Sequence, residues 1–108
     1  MAIIEVDDTD FSENIEAAFE RGESVVLRFG SPFCDGCMVQ EFEIEEFDEL
    51  MDNLTILDID LNEAESLVYE FNITEIPTTI IYKDRDTMLL HKTGIILAAD
   101  MKKILEEG

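Results

Sequence analysis

Cys34 and Cys37 are the only cysteines in 108 residues, and they lie three apart in the run SPFCDGCM. At that spacing, on the first turn of a helix, two sulfurs come within bonding distance and can exchange with a disulfide. A thiol at a helix N-terminus sits among backbone N–H groups that lack intrahelical partners. Those groups and the helix dipole stabilise the thiolate, which is the nucleophilic form. The pair can therefore act as an attacking thiol, Cys34, and a resolving thiol, Cys37. Two other readings compete. A zinc site needs about four ligands, and the chain adds only His91, with no second cysteine pair. Two inert buried thiols would need no special context, whereas these two follow an apolar strand-like run and open a helix-like one. His91 itself reads as an ordinary residue of a hairpin strand.

The elements that must hold this pair alternate along the whole chain. AIIEV is a short apolar run, read as the first strand. Residues 10–21 carry Phe11, Ile15, Ala18 and Phe19 at helical spacing, with Gly22 just beyond. SVVLRFG is a buried-type strand, interrupted by Arg28 and closed by Gly30 and Pro32. Residues 34–52 form the longest helical stretch, with Glu41, Glu43, Glu45, Glu46, Asp48 and Glu49 along one side. LTILDIDL is a further strand. Asn62 and Glu65 then read as an N-cap and its third-residue partner, ahead of a stripe of Ala64, Leu67, Val68 and Phe71. Asn72 suits a left-handed helix end. PTTIIYK, the turn DRD and TMLLHKTG read as a hairpin. Residues 96–107 read as a last helix with Leu97, Met101, Ile104 and Leu105 inward. The order β-α-β-α-β-α-β-β-α predicts an α/β fold: a central mixed sheet with helices on both faces. The length suits one domain, residues 1–108.

The formal charge is −20, unevenly spread. Residues 1–75 carry 22 acids against two bases, Arg21 and Arg28, and the remainder carries five of each. Such a surface disfavours nucleic acid and anionic membranes as partners, and its self-repulsion argues for a monomer. No apolar run approaches the roughly 18 residues of a membrane span. The start, MAIIEVDDTD, has no basic n-region, so no secretory signal is expected and the cytoplasm is the expected location. A cysteine pair in that compartment points to redox or metal chemistry more than to a structural staple.

Three segments, in order, carry a family resemblance over nearly the whole chain: VVLRFGSPFCDGC, NITEIPTTIIYK and TGIILAADMKKIL. The chain resembles thioredoxin and its close relatives. The resemblance implies a thiol–disulfide oxidoreductase that reduces protein disulfides through a Cys34/Cys37 cycle, with no cofactor beyond that disulfide. It implies disulfide-containing proteins as substrates and an electron donor such as a thioredoxin reductase. It also implies that Pro77 is cis, that the backbone of Ile76 pairs with an extended substrate segment, and that Phe33, Ile76, Pro77, Thr93, Gly94 and Ile95 line the groove. The alternative is a thioredoxin-fold interaction module or redox sensor that docks a dedicated partner.

The departures from the family pattern are as informative. Asp35-Gly36 stands where the family commonly has Gly-Pro. Glycine loosens the helix start, and the charge of Asp35 beside Cys34 disfavours its thiolate. Glu75, beside the cis-proline segment, acts the same way. Less thiolate stabilisation favours the disulfide and makes the dithiol a stronger reductant. The family's tryptophan pair is replaced by Phe33 and Gly30, and its helix-kinking proline by Phe42. The family usually buries an aspartate beneath the disulfide, near a lysine of the next strand. Here Arg28 takes the aspartate's position and Asp58 the lysine's, with the signs swapped. A lone buried charge is costly and a paired one tolerable. An Arg28–Asp58 ion pair is therefore expected, with Asp58 the candidate for proton transfer to and from Cys37. The apolar run at Ile95–Leu97 reads as core, or as an apolar edge for a partner.

Overall fold

A computed structural model describes residues 3–108; Met1 and Ala2, the latter in the expected first strand, lie outside the described residues. Nine elements follow one another: β1 (Ile3–Val6), α1 (Phe11–Glu20), β2 (Ser24–Gly30), α2 (Asp35–Leu50), β3 (Leu54–Asp60), α3 (Glu65–Glu70), β4 (Thr78–Asp84), β5 (Thr87–Thr93) and α4 (Ala98–Glu107). The sheet order is β1-β3-β2-β4-β5. β3 pairs in parallel with β1 and β2, while β4 runs antiparallel to β2 and to β5. The helical crossovers after β1 and β2 produce the parallel half, and the short Arg85-Asp86 turn produces the antiparallel half.

Two cores form, one on each face. Phe11 and Ala18 of α1 and Leu67 of α3 pack with Val25, Leu27, Phe29, Leu57, Ile59 and Ile80. Ile44 and Phe47 of α2 and Ala98 and Met101 of α4 pack with Val26, Ile56 and Ile81. Central strands buried on both faces account for the near-continuous apolar runs of β2 and β3.

The register divides the second face into two rows, because directly paired residues project to the same side of a sheet. Ile3, Ile56, Val26, Ile81 and Leu90 form an apolar row, one residue per strand. Two residues further along lie Glu5, Asp58, Arg28, Thr79 and Lys92, a polar row that crosses all five strands. Arg28 and Asp58 are its centre, and the row lies toward the end of β2 from which α2 departs.

Three local expectations need comment. Asn72 is left-handed, with φ 54°. The Asn62–Glu65 capping box does not form: α3 begins at Glu65 with Ala64 as N-cap, and the Asn62 N–H donates to Asp60 Oδ1. The cap comes instead from Asp8, whose Oδ1 accepts from Ser66 Oγ at 2.6 Å and from the Leu67 N–H at 3.3 Å. A carboxylate on the β1–α1 loop thus meets both the free amides and the positive end of the helix. Asp8→Ala should lower stability by about 0.5–2 kcal/mol in urea unfolding; Asn62→Ala should cost less, and the reverse ranking would contradict this assignment. Finally, Leu97 is not inward. It is 54% exposed, with extended backbone (φ −78°, ψ 151°) at the N-cap of α4, while Ile96 is buried. The helical period counted back from Met101 does not reach a residue outside the helix.

Candidate active site

β2 ends at Gly30, four residues follow from the C-terminal end of this central strand, and α2 opens at Asp35. Cys34 is the N-cap, in extended conformation, and its Sγ accepts from the Cys37 N–H at 3.1 Å. The first-turn amide is thus aimed at the sulfur, as a helix N-terminus requires. Cys34 and Cys37 form a disulfide with Cα atoms 5.2 Å apart. Cys34 is partly exposed and Cys37 fully buried, so an incoming sulfur reaches Cys34 first. Asp35 is exposed in the first turn. There it favours the helix dipole while its charge opposes a thiolate at Cys34.

Beneath the pair lies Arg28, its side chain only 11% exposed. Nη1 donates to Asp58 Oδ1 at 2.8 Å, and Nη2 donates to the Cys37 carbonyl at 2.6 Å. The guanidinium fork therefore ties β2 to β3 and to the first turn of α2. Gly30 makes this possible. A Cβ at that position would lie 3.1 Å from Arg28 Cζ and 3.3 Å from Cys37 Sγ. Any larger side chain at this point, such as the tryptophan common in the family, would crowd the guanidinium of Arg28. The same distances set both the cation and the Cys37 sulfur against the small gap that a side chain at residue 30 would fill. Arg28 and Asp58 also line a cleft of about 610 Å³ on the β1–β3 side, with Glu5, Glu41, Asp60 and Glu63 among its walls. Asp58 is 27% exposed there.

On the other side of the disulfide, the Ile76–Pro77 peptide bond is cis. Gly36 packs against Pro77, where a Cβ on Gly36 would meet Pro77 Cδ at 3.2 Å. The Pro77 carbonyl accepts from the Gly94 N–H at 2.8 Å, and Gly94 has φ 88°. Pro77 is buried and Ile76 partly so; Glu75, Thr93, Gly94 and Ile95 are exposed, and Phe33 is 92% exposed. The three segments named from the sequence thus meet around the disulfide.

Gln40 was not singled out by sequence, although it sits in the site's foundation. It is fully buried on α2, in a stripe with Cys37, Ile44 and Phe47. Its Nε2 donates to the Ile96 carbonyl at 2.9 Å, and its Oε1 accepts from the Ile96 N–H at 2.7 Å. Glu43, one of the acids along one side of α2, accepts from the Ala98 N–H at 2.8 Å and caps α4. The available signal was the single polar residue in an otherwise apolar helix stripe. His91 is exposed on β5. Among the described residues no group of three or more His, Cys, Asp or Glu is arranged to hold a metal, and no helix is long and apolar enough to cross a membrane.

A disulfide at a strand-to-helix turn, one sulfur open and one buried, beside a cis-proline loop, defines a thiol–disulfide oxidoreductase of protein substrates. The thioredoxin family model matches residues 2–107, and the chain belongs to the thioredoxin family. It is 33% identical over 90 residues to a thioredoxin of Bacillus subtilis, covering 82% of this chain and 81% of that relative. In fold it is similar to reduced thioredoxin pre-protein of Schistosoma mansoni, with a TM-score of 0.84, 20% identity and coverage of 99% and 98% of the two chains. It is likewise similar to a chain from the structure of a ferredoxin:thioredoxin reductase and thioredoxin f2 complex, with a TM-score of 0.83, 24% identity and coverage of 98% and 94%.

Proposed function

We propose that this chain forms one domain that works as a reductant of protein disulfides. The observation that carries the reading is the helix N-terminus at Cys34: its sulfur accepts the Cys37 amide while Cys37 is buried behind it. In the dithiol form the Cys34 thiolate attacks one sulfur of the substrate disulfide. That bond breaks, a Cys34–substrate disulfide forms, and the other substrate sulfur leaves as a thiolate and takes a proton. Cys37 then attacks Cys34 Sγ, closing the Cys34–Cys37 disulfide and releasing the second substrate thiol. Two electrons have passed to the substrate, and a thioredoxin reductase type of donor restores the dithiol. The f2 complex with such a reductase supports that donor class.

Asp58 serves as proton acceptor for Cys37; its partial exposure to the cleft gives the proton a way out. Arg28, charged at every relevant pH, stabilises negative charge at Cys37 across the gap that Gly30 leaves open. Ile76 offers its backbone to an extended substrate segment, with Phe33, Pro77, Thr93, Gly94 and Ile95 around it. Asp35 and Glu75 disfavour the Cys34 thiolate and bias the couple toward reduction of the substrate. No external cofactor is needed. The charge supports a monomer, and a reducing compartment, the cytoplasm, suits a dithiol reductant.

The test is reduction of insulin by dithiothreitol, with and without the protein, together with equilibration against glutathione. Catalysed reduction and a potential on the reducing side of the glutathione couple are expected. No acceleration would favour an interaction module that uses the exposed Phe33, Ile95 and Leu97, and a strongly oxidising potential would refute the assignment as a reductant. Asp35→Gly should lower the pH at which Cys34 is alkylated, because it removes a like charge; an unchanged profile would contradict the role given to Asp35.

A further inference from the structure

Three contacts and the chain between them close a ring beside the disulfide. Gly36 of α2 packs on Pro77, Pro77 accepts from Gly94, two residues on lies Ile96, and Gln40 returns the chain of contacts to α2. The last link is unusual in kind. A side-chain amide, itself fully buried, satisfies both the N–H and the C=O of one loop residue. This pins Ile96 inward and leaves its neighbours Ile95 and Leu97 turned out, 42% and 54% exposed. Cys37 and Gln40 lie one turn apart on the same helix face, so the loop is registered directly against the redox pair. One turn further on, Glu43 adds a single bond, accepting from the Ala98 N–H.

We propose that Gln40 is a positioning residue for protein substrates: its amide fixes the β5–α4 loop so that Ile95 and Leu97 present an apolar edge beside the disulfide. The inference rests on the reading of the protein as a protein-disulfide reductase. Gln40 touches no reacting atom and acts through Ile96. Removing its amide unpins one wall of the groove and leaves the thiol chemistry of Cys34 as it was. A substrate that spans the groove should feel this, and one that touches only the sulfur should not.

Gln40→Leu keeps the bulk and the apolar stripe but deletes both hydrogen bonds. The KM for insulin is expected to rise roughly five- to tenfold, with kcat and the rate toward a small aromatic disulfide within about twofold of wild type. Gln40→Glu should show the same rise at pH 8 and recover relative to wild type as pH falls, because a protonated carboxyl again offers one donor and one acceptor. Amide exchange gives a second measure, independent of activity: the Ile96 N–H should exchange at least about tenfold faster in Gln40→Leu, with the core amides of β2 unchanged. Equal losses on insulin and the small disulfide, or an unchanged KM, or unchanged Ile96 exchange, would each overturn the proposal. If the wild-type protein reduces neither disulfide, the reductase reading fails, and the substrate-positioning role fails with it; the exchange result would then report only on the clasp.

Discussion

Cys37→Ser is expected to stop the cycle at the mixed disulfide. Cys34 would still attack, but no second thiol would be present to release the substrate. Turnover on insulin should fall by roughly three orders of magnitude, and a covalent adduct to Cys34 should accumulate on a non-reducing gel. Cys34→Ser should lose turnover to the same degree and form no adduct. The asymmetry follows from the geometry: Cys34 is partly exposed at the N-cap, while Cys37 is fully buried. Adduct formation by Cys34→Ser and not by Cys37→Ser would mean that the two roles are reversed.

Arg28→Leu has the second largest expected effect. It removes the partner of Asp58 and the donor to the Cys37 carbonyl in one step. Breaking a buried pair costs about 3–5 kcal/mol, mostly through the charge left behind. Asp58 is 27% exposed, so a loss of about 2–4 kcal/mol is expected here in urea unfolding. Two features make the pair a poor source of net stability. Both charges are desolvated to form it, and Arg28 Nε is buried with no hydrogen-bond partner among the described residues. The double variant Arg28→Leu/Asp58→Leu should therefore recover most of the loss. If the double variant is as unstable as the sum of the single ones, the two residues are not coupled. Alkylation of the reduced protein separates stability from chemistry: Cys37 should ionise at higher pH without the guanidinium beside it.

Most of the architecture was legible because the parallel core writes itself as alternating apolar runs and helical stripes. The Arg28–Asp58 contact was legible for a related reason. Arg28 is the one charge of β2, β3 carries Asp58 within its apolar run and Asp60 at its end, and the parallel register sets residue 28 directly beside residue 58. What stayed hidden depended on contacts distant in sequence. Asn62 has the right type for a cap, but Asp8 reaches α3 from 58 residues away. Leu97 fits the stripe of Met101 and Ile104, yet it precedes the helix, where the 3.6-residue period does not hold. Gln40 and Glu43 read as polar positions of a long acidic helix. Their partners, Ile96 and Ala98, are backbone groups more than fifty residues on, and no periodicity marks those.

The gap at Gly30 has a consequence for how such a site can arise by descent. Exchanging the signs of the family's buried pair one residue at a time passes through two like charges facing each other, or through one charge alone. A side chain at position 30 crowds both the Arg28 guanidinium and Cys37 Sγ, so arginine at 28 is gained most easily where residue 30 is already glycine. Positions 28, 30 and 58 should therefore be inherited as a set. Among relatives, arginine at the first should accompany glycine at the second and an acid at the third. Lineages that lost the tryptophan first are the ones from which the swapped pair could emerge.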